Sequence, residues 1–175
     1  MKLNLGCGAN KLDGYINIDI DNSLEPDQVI DFRVGLPFEN GSVEKIVMYH
    51  VIEHIEKRYR EDMLKEFHRV LQPNGTLVIS YPEFTKIVEN WKTNKRGMRD
   101  FWEATIYGRQ ASRSDYHVTI MDSDQFKIEL VRHGFAVQLI CPEPTQDFNT
   151  VIKAIKKEMV SFESTLLEDV FKEQR

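Results

Sequence analysis

An open, mostly parallel α/β sheet is the fold this chain predicts. Short apolar strands recur through it, helical-period segments separate the later ones, and the first strand runs straight into a glycine turn. KLNL (2–5) is a short buried strand that meets GCG. YINIDI (15–20) alternates Ile16, Ile18 and Ile20 with polar partners, the period of a strand. VIDF (29–32) and KIVMYH (45–50) are read as the third and fourth strands.

YREDMLKEFHRVL (59–71) places Met63, Leu64, Phe67, Val70 and Leu71 on one helical face. QPNG (72–75) is expected to stop that helix, and TLVISYP (76–82) to form a fifth strand. Residues 83–121 are aromatic and basic without a clean period, so broken helices and loop are expected there. In MDSDQFKIELVRHGF (121–135), Asp122 or Ser123 is the N-cap and Gly134 takes the left-handed position after the helix end. FAVQLI (135–140) and TVIKAIK (150–156) close the sheet. The tail (158–175) spaces Phe162, Leu166, Val170 and Phe171 as a helix would.

The 175 residues suit one domain, with 41% hydrophobic and 29% charged residues, and the formal net charge is -5. That balance argues against sequence-independent grip on a nucleic-acid backbone. The two cysteines, Cys7 and Cys141, suggest no disulfide framework. MKLNLGCGANK has no apolar core of a signal peptide, and no apolar run reaches bilayer length, so a cytoplasmic protein without membrane contact is expected.

Ligands of open α/β sheets bind beyond the carboxyl ends of the strands. The residues there are Gly6–Asn10, Asp19, Asp31, Tyr49–His50 and Tyr81–Glu83. A G-x-G turn brings a ligand against bare backbone, and its N–H groups can hold an anion. Asp19 can accept from both hydroxyls of a ribose, and Asp31 from an adenine amino group. A nicotinamide dinucleotide site would need G-x-G-x-x-G, but Lys11 stands at the third glycine position. Residues 6–15 are also too few for an ordinary crossover helix.

The order LNLGCGANKLDGYINIDID, DFRVGLPFENGSVEKIVMYHVIEHI and HRVLQPNGTLVISYPEF resembles the class I S-adenosylmethionine-dependent methyltransferases. It is closest to the small branch with a shortened first crossover, the methyltransferase type 11 group. The similarity covers residues 3 to 157. It implies a Rossmann-like methyltransferase fold, a seven-stranded sheet of order 3-2-1-4-5-7-6 with shortened first crossovers. S-adenosylmethionine would be the cofactor. Gly6, Cys7 and Gly8 would lie under its methionine part, Asp19 at the ribose and Asp31 near the adenine. Tyr49 and His50 would stand where methyl and acceptor meet. Many members carry an acid where Asn4 stands and a third glycine where Asn10 stands. Asn4 would bind the cofactor ammonium without charge, and Asn10 tolerates a left-handed turn.

HVIEH (50–54) spells H-x-x-E-H, the mark of certain zinc peptidases. Such a site needs both histidines on one helix face, and IVMY before it reads as strand. No metal is assigned, and Glu53 and His54 are read as a structural helix start.

A methyl transfer to a hydroxyl needs a base, and His50 and His117 are the candidates. Related proteins show Tyr-Gly-x-Gln and then a histidine, so Tyr107, Arg109 and Gln110 are placed on the substrate side with His117. Lys92, Lys95, Arg96, Arg99, Arg109 and Arg113 form a local basic patch. It suits an anionic small molecule. The sequence starts directly at the first strand, so residues 83–121 are expected to act as the lid.

The expected organisation is a methyltransferase domain (1–157) followed by a C-terminal helix (158–175) that packs on its own domain or pairs two chains as a homodimer. The expected reaction is methylation of a small polar acceptor, at oxygen. The alternative is a non-catalytic cofactor-binding module that serves a partner protein.

Overall fold

The computed structural model describes residues 1–93, 99–111, 115–144 and 146–157. The expected tail helix, and any dimer through it, lie outside the described residues. Seven strands form one sheet in the order β3-β2-β1-β4-β5-β7-β6. They are β1 (Lys2–Leu5), β2 (Ile16–Asp19), β3 (Gln28–Val29), β4 (Val43–Tyr49), β5 (Leu71–Pro82), β6 (Phe135–Glu143) and β7 (Gln146–Lys156). The pairs from β3 through β5 are parallel, whereas β7 runs antiparallel to both β5 and β6.

The helices are α1 (Lys57–Val70), α2 (Phe84–Lys92), α3 (Arg99–Tyr107) and α4 (Ser123–Arg132). Turns alone join β1 to β2, and a three-residue 3-10 turn, Asn22–Leu24, stands between β2 and β3. The shortened crossovers are therefore present. The core lies between α1 and the sheet, where Leu3, Leu5, Ile46, Met48, Phe67 and Leu77 are buried. Asp122 caps α4 by accepting from Gln125 N at 3.0 Å. Gly134 follows α4 at φ +82°, the left-handed value expected.

Several element bounds differ from the sequence reading. β3 is two exposed residues, because Phe32 turns inward and joins the core. α1 ends at Val70, ahead of QPNG as expected, but Leu71 pairs with Val43 and Thr76 with Lys45, so QPNG is also an irregularity inside β5, with Asn74 at φ +62°. The closing strands extend to Glu143 and back to Gln146, since they form one long antiparallel hairpin. The aromatics of the 83–121 segment are partly core: Trp102 is buried against Phe148 of β7, with ring centroids 5.6 Å apart. Asn10 is not among the residues with positive φ. Its carbonyl accepts from Asn4 Nδ2 at 3.0 Å, which fixes the turn by another means.

Candidate active site

At the carboxyl end of β1 the chain turns through Gly6 (φ +66°) and Gly8 (φ +52°). A β-carbon on Gly6 would sit 2.5 Å from Val51 Cγ2, so only glycine fits beneath that side chain. Nothing stands within 4 Å of where one would project from Gly8, so that side of the turn is open.

Asp19 ends β2 and is nearly buried. Its carboxylate accepts from Gly8 N at 2.8 Å and from Asp21 N at 3.0 Å. Two donors fix the orientation of a group that can accept four hydrogen bonds, leaving capacity for two vicinal hydroxyls. Cys7 is buried, and burial first, then the Asp19 charge, pushes its thiol pKa up, so it is a packing residue rather than a nucleophile.

Asn4 explains its own departure from an acid. Its Nδ2 donates to Asn10 O and, at 2.9 Å, to Asn17 Oδ1. A carboxylate could make neither bond. Asn17 passes the chain on, donating from its backbone N to Asp27 at 2.7 Å and from Nδ2 at 2.9 Å.

Asp31 follows β3. Arg33 donates to it from Nε and Nη2, both at 2.8 Å, and these bonds hold the Asp31 carboxyl below the ordinary aspartate range. The sequence reading did not foresee Arg33.

A cleft crosses the ends of these strands in two adjoining lobes. One, of about 470 Å³, is walled by Asp19, Ile30, Asp31, Arg33 and Ile55. The other, of about 690 Å³, is walled by Asn4, Cys7, Tyr49, Glu53, Arg109 and His117. Gly6, Gly8, His50 and His54 belong to both. A surface groove of about 770 Å³ between α1 and α4 lies away from the strand ends, and Arg60 and Lys65 in its wall are already paired with Glu129 and Glu61.

His50 follows β4 at φ +55°, held by its N–H on Ser80 O at 3.0 Å. Its Nε2 meets Glu143 Oε2 at 3.1 Å, and Asn149 Nδ2 donates to the same oxygen at 2.7 Å. Burial pushes the His50 pKa down, but the facing Glu53 and Glu143 carboxylates outweigh it and raise it above the ordinary value. Glu143 and Asn149 were missed by sequence reasoning. The antiparallel β7 starts at the end where the parallel strands finish, so the β6–β7 hairpin delivers both to the cleft.

His117 reaches the same lobe from the loop after α3. Its N–H donates to Tyr107 O at 3.0 Å. Burial is the main cause that lowers its pKa. Arg109 lines the lobe and lies 3.5 Å from Asp115. Tyr107 and Gln110 are exposed and are not part of either lobe's wall. Of the basic patch, Lys95, Arg96 and Arg113 lie outside the described residues, as does the side chain of Arg99. Tyr81 and Glu83, the other strand-end candidates, are structural: both are buried and bond Ser123 at the start of α4.

Residues 3–79 match the family model of a methyltransferase domain. Solved structures agree in fold. A SAM-dependent methyltransferase from Methanosarcina mazei superposes with a TM-score of 0.63 at 15% identity, over 89% of this chain and 92% of that one. An S-adenosylmethionine-dependent methyltransferase from Mesorhizobium loti gives 0.58 at 13% identity, over 89% and 90%. A chain of the Haloferax volcanii complex that contains the Trm112 methyltransferase activator gives 0.60 at 15% identity, over 90% and 82%. A search among curated proteins found no match. The match over residues 3–79 and the shared fold make this chain similar to the S-adenosylmethionine-dependent methyltransferases. No described helix is long and apolar enough to cross a membrane.

Proposed function

We propose that this chain is an S-adenosylmethionine-dependent methyltransferase acting on a hydroxyl of a small polar acceptor, with His50 as the general base. Gly6, Gly8 and Asp19 would hold the cofactor, with Asp19 on the ribose and Asp31 beside the adenine. The bound cofactor supplies an electrophilic methyl group, and the protein's share is alignment and removal of one proton. The observation that carries the reading is the position of His50 in the wall common to both lobes, braced by Glu143. The acceptor lobe favours a neutral polyol or sugar over an anion, because Arg109 already has Asp115 beside it and Glu53 is in the same wall.

The test is transfer of labelled methyl from S-adenosylmethionine to a panel of monosaccharides and small polyols. His50→Ala should lower turnover roughly 10²- to 10⁴-fold, the usual share of a general base, while S-adenosylhomocysteine still binds. Cofactor binding without transfer to any hydroxyl compound would sink the acceptor assignment. Unchanged turnover in the variant would sink the base. A second reading, a cofactor-binding module that works with a partner protein, draws support from the likeness to the Haloferax complex. It predicts that transfer stays undetectable for the isolated chain.

A further inference from the structure

The second half of HVIEH has an arrangement that methyl transfer alone does not use. Ile52–His54 is a 3-10 turn, not the start of a longer helix, and it directs Glu53 inward. Glu53 is 2% exposed, and neither of its carboxylate oxygens has a hydrogen-bond partner among the described residues. His50 Nδ1 stands 3.5 Å from Oε1, at the limit of reach and not aligned for a hydrogen bond. A carboxylate buried so deeply requires a counter-charge or a donor.

Two imidazoles face it. One ligand atom from each of Glu53, His54 and His117 falls within 4.8 Å of the others. The two rings meet edge to face with centroids 4.7 Å apart. The His54 ring is oriented from behind, its Nδ1 donating to Tyr116 O at 2.9 Å. A carbonyl can only accept, so in the neutral His54 ring Nε2 is left with a free lone pair. A carbonyl behind a ligand histidine is the usual outer layer of a metal site. The two segments are also tied together: Val118 N and Thr119 N both donate to Glu53 O, at 2.9 and 3.2 Å.

We propose that Glu53, His54 and His117 bind one divalent first-row cation, Zn²⁺ by preference, in a three-ligand site with an open fourth position. Two imidazoles and one carboxylate are a ligand set zinc accepts with such a position left over. The motif is thus half right as a metal signal. Its first histidine is not a ligand, and the missing one arrives 63 residues after His54. All three ligands line the lobe that also holds Gly6, Gly8 and Tyr49, so the fourth position opens toward the acceptor side. An acceptor hydroxyl bound there would be made more acidic. That last point rests on the methyl-transfer reading, whereas binding of the ion does not.

The experiment uses the full chain, stripped with a chelator and titrated with Zn²⁺ by calorimetry, then with Co²⁺ by visible absorption. One ion per chain is expected, with the ligand-field bands of a low-coordinate Co²⁺ site. Glu53→Gln and His117→Gln, checked for folding by circular dichroism, should each weaken binding about 100-fold or more, the upper end of what loss of even a supporting residue costs. His133→Gln, away from the cluster, should leave it unchanged. Sub-stoichiometric binding by the folded wild type, or affinity kept within about threefold by both cluster variants, a change of well under 1.4 kcal/mol, overturns the site. S-adenosylhomocysteine is titrated into the same samples. Its binding without zinc defeats the metal site alone; zinc without it defeats the cofactor assignment alone.

Discussion

The two lobes of the cleft are built in different ways. The cofactor lobe is local: Gly6, Gly8, Asp19 and Asp31 fall within 26 residues, at or just beyond the ends of three neighbouring parallel strands. Its hydrogen bonds close over short sequence spans, as from Gly8 to Asp19 and from Asp21 to Asp19. The acceptor lobe is assembled from afar. His50 meets Glu143 across 93 residues, and Glu53 meets His117 across 64. A local site can be specified by a motif. A composite one depends on the fold being right first, which lets it vary in chemistry while the cofactor lobe stays fixed.

The largest effect should come from the local lobe. Asp19→Ala removes two acceptor oxygens for ribose hydroxyls, and charge-assisted hydrogen bonds are worth about 1.5–3 kcal/mol each. S-adenosylhomocysteine affinity should fall at least about 100-fold by calorimetry. Asp21→Ala, on an exposed neighbour, should change it little. Equal losses in both variants would mean that Asp19 acts only by holding the turn.

Next comes a break in the composite lobe. Gly108 sits at φ +79°, and a β-carbon there would fall 1.8 Å from Asp115 O. Gly108→Ala must therefore separate the two arms of the loop that presents His117. The amide of His117, now bonded to Tyr107 O, should lose protection in hydrogen exchange. S-adenosylhomocysteine affinity should stay within about twofold, under half a kcal/mol. A collapse of cofactor binding in this variant would show that the lobes are not independent.

The contrast also explains what could be read from the sequence. The strands, the glycine turn and the place of Asp19 at a strand end follow from local pattern, because period and turn chemistry act over a few residues, whereas the strand order comes from the family resemblance. Glu53 was visible inside HVIEH but read as a helix start, since nothing local reveals that a 3-10 turn buries it. Glu143 and Asn149 carry no motif. They could have been inferred only by reasoning that an antiparallel last strand begins where the parallel ones end. Asp31 was expected at a strand end, yet β3 stops at Val29 and a turn carries Asp31, because the core takes Phe32.

A smaller effect concerns the loop between the cofactor lobe and α1. Glu66 accepts from Leu36 N at 2.8 Å and from Arg69 at 2.6 and 2.7 Å. Arg69 also donates to Leu36 O and Phe38 O, so the LPF segment is clamped to α1. Glu66→Gln keeps the shape and loses the charge. It should cost about 1–3 kcal/mol in urea unfolding, with cofactor affinity unchanged. A loss of affinity would extend the cofactor lobe to this loop.

The smallest effect separates the fixed lobe's charge from its shape. Arg33 lowers the Asp31 pKa by hydrogen bonding, and both side chains are about one-third exposed. Solvent screening limits such a pair to roughly 0.2–1 kcal/mol. The folded-state pKa is depressed, so the stabilisation is complete above the unfolded value of about 3.9 and is lost as pH falls through the folded value. The stability difference between wild type and Arg33→Ala should therefore be flat from pH 7 to about pH 5 and shrink below about pH 4. A difference that is independent of pH down to the acid transition would assign Arg33 a packing role on Tyr59, whose ring centre lies 5.6 Å from its guanidinium. In that case Asp31 is held in place by the turn alone, and the cofactor lobe owes even less to any residue outside its own short stretch of chain.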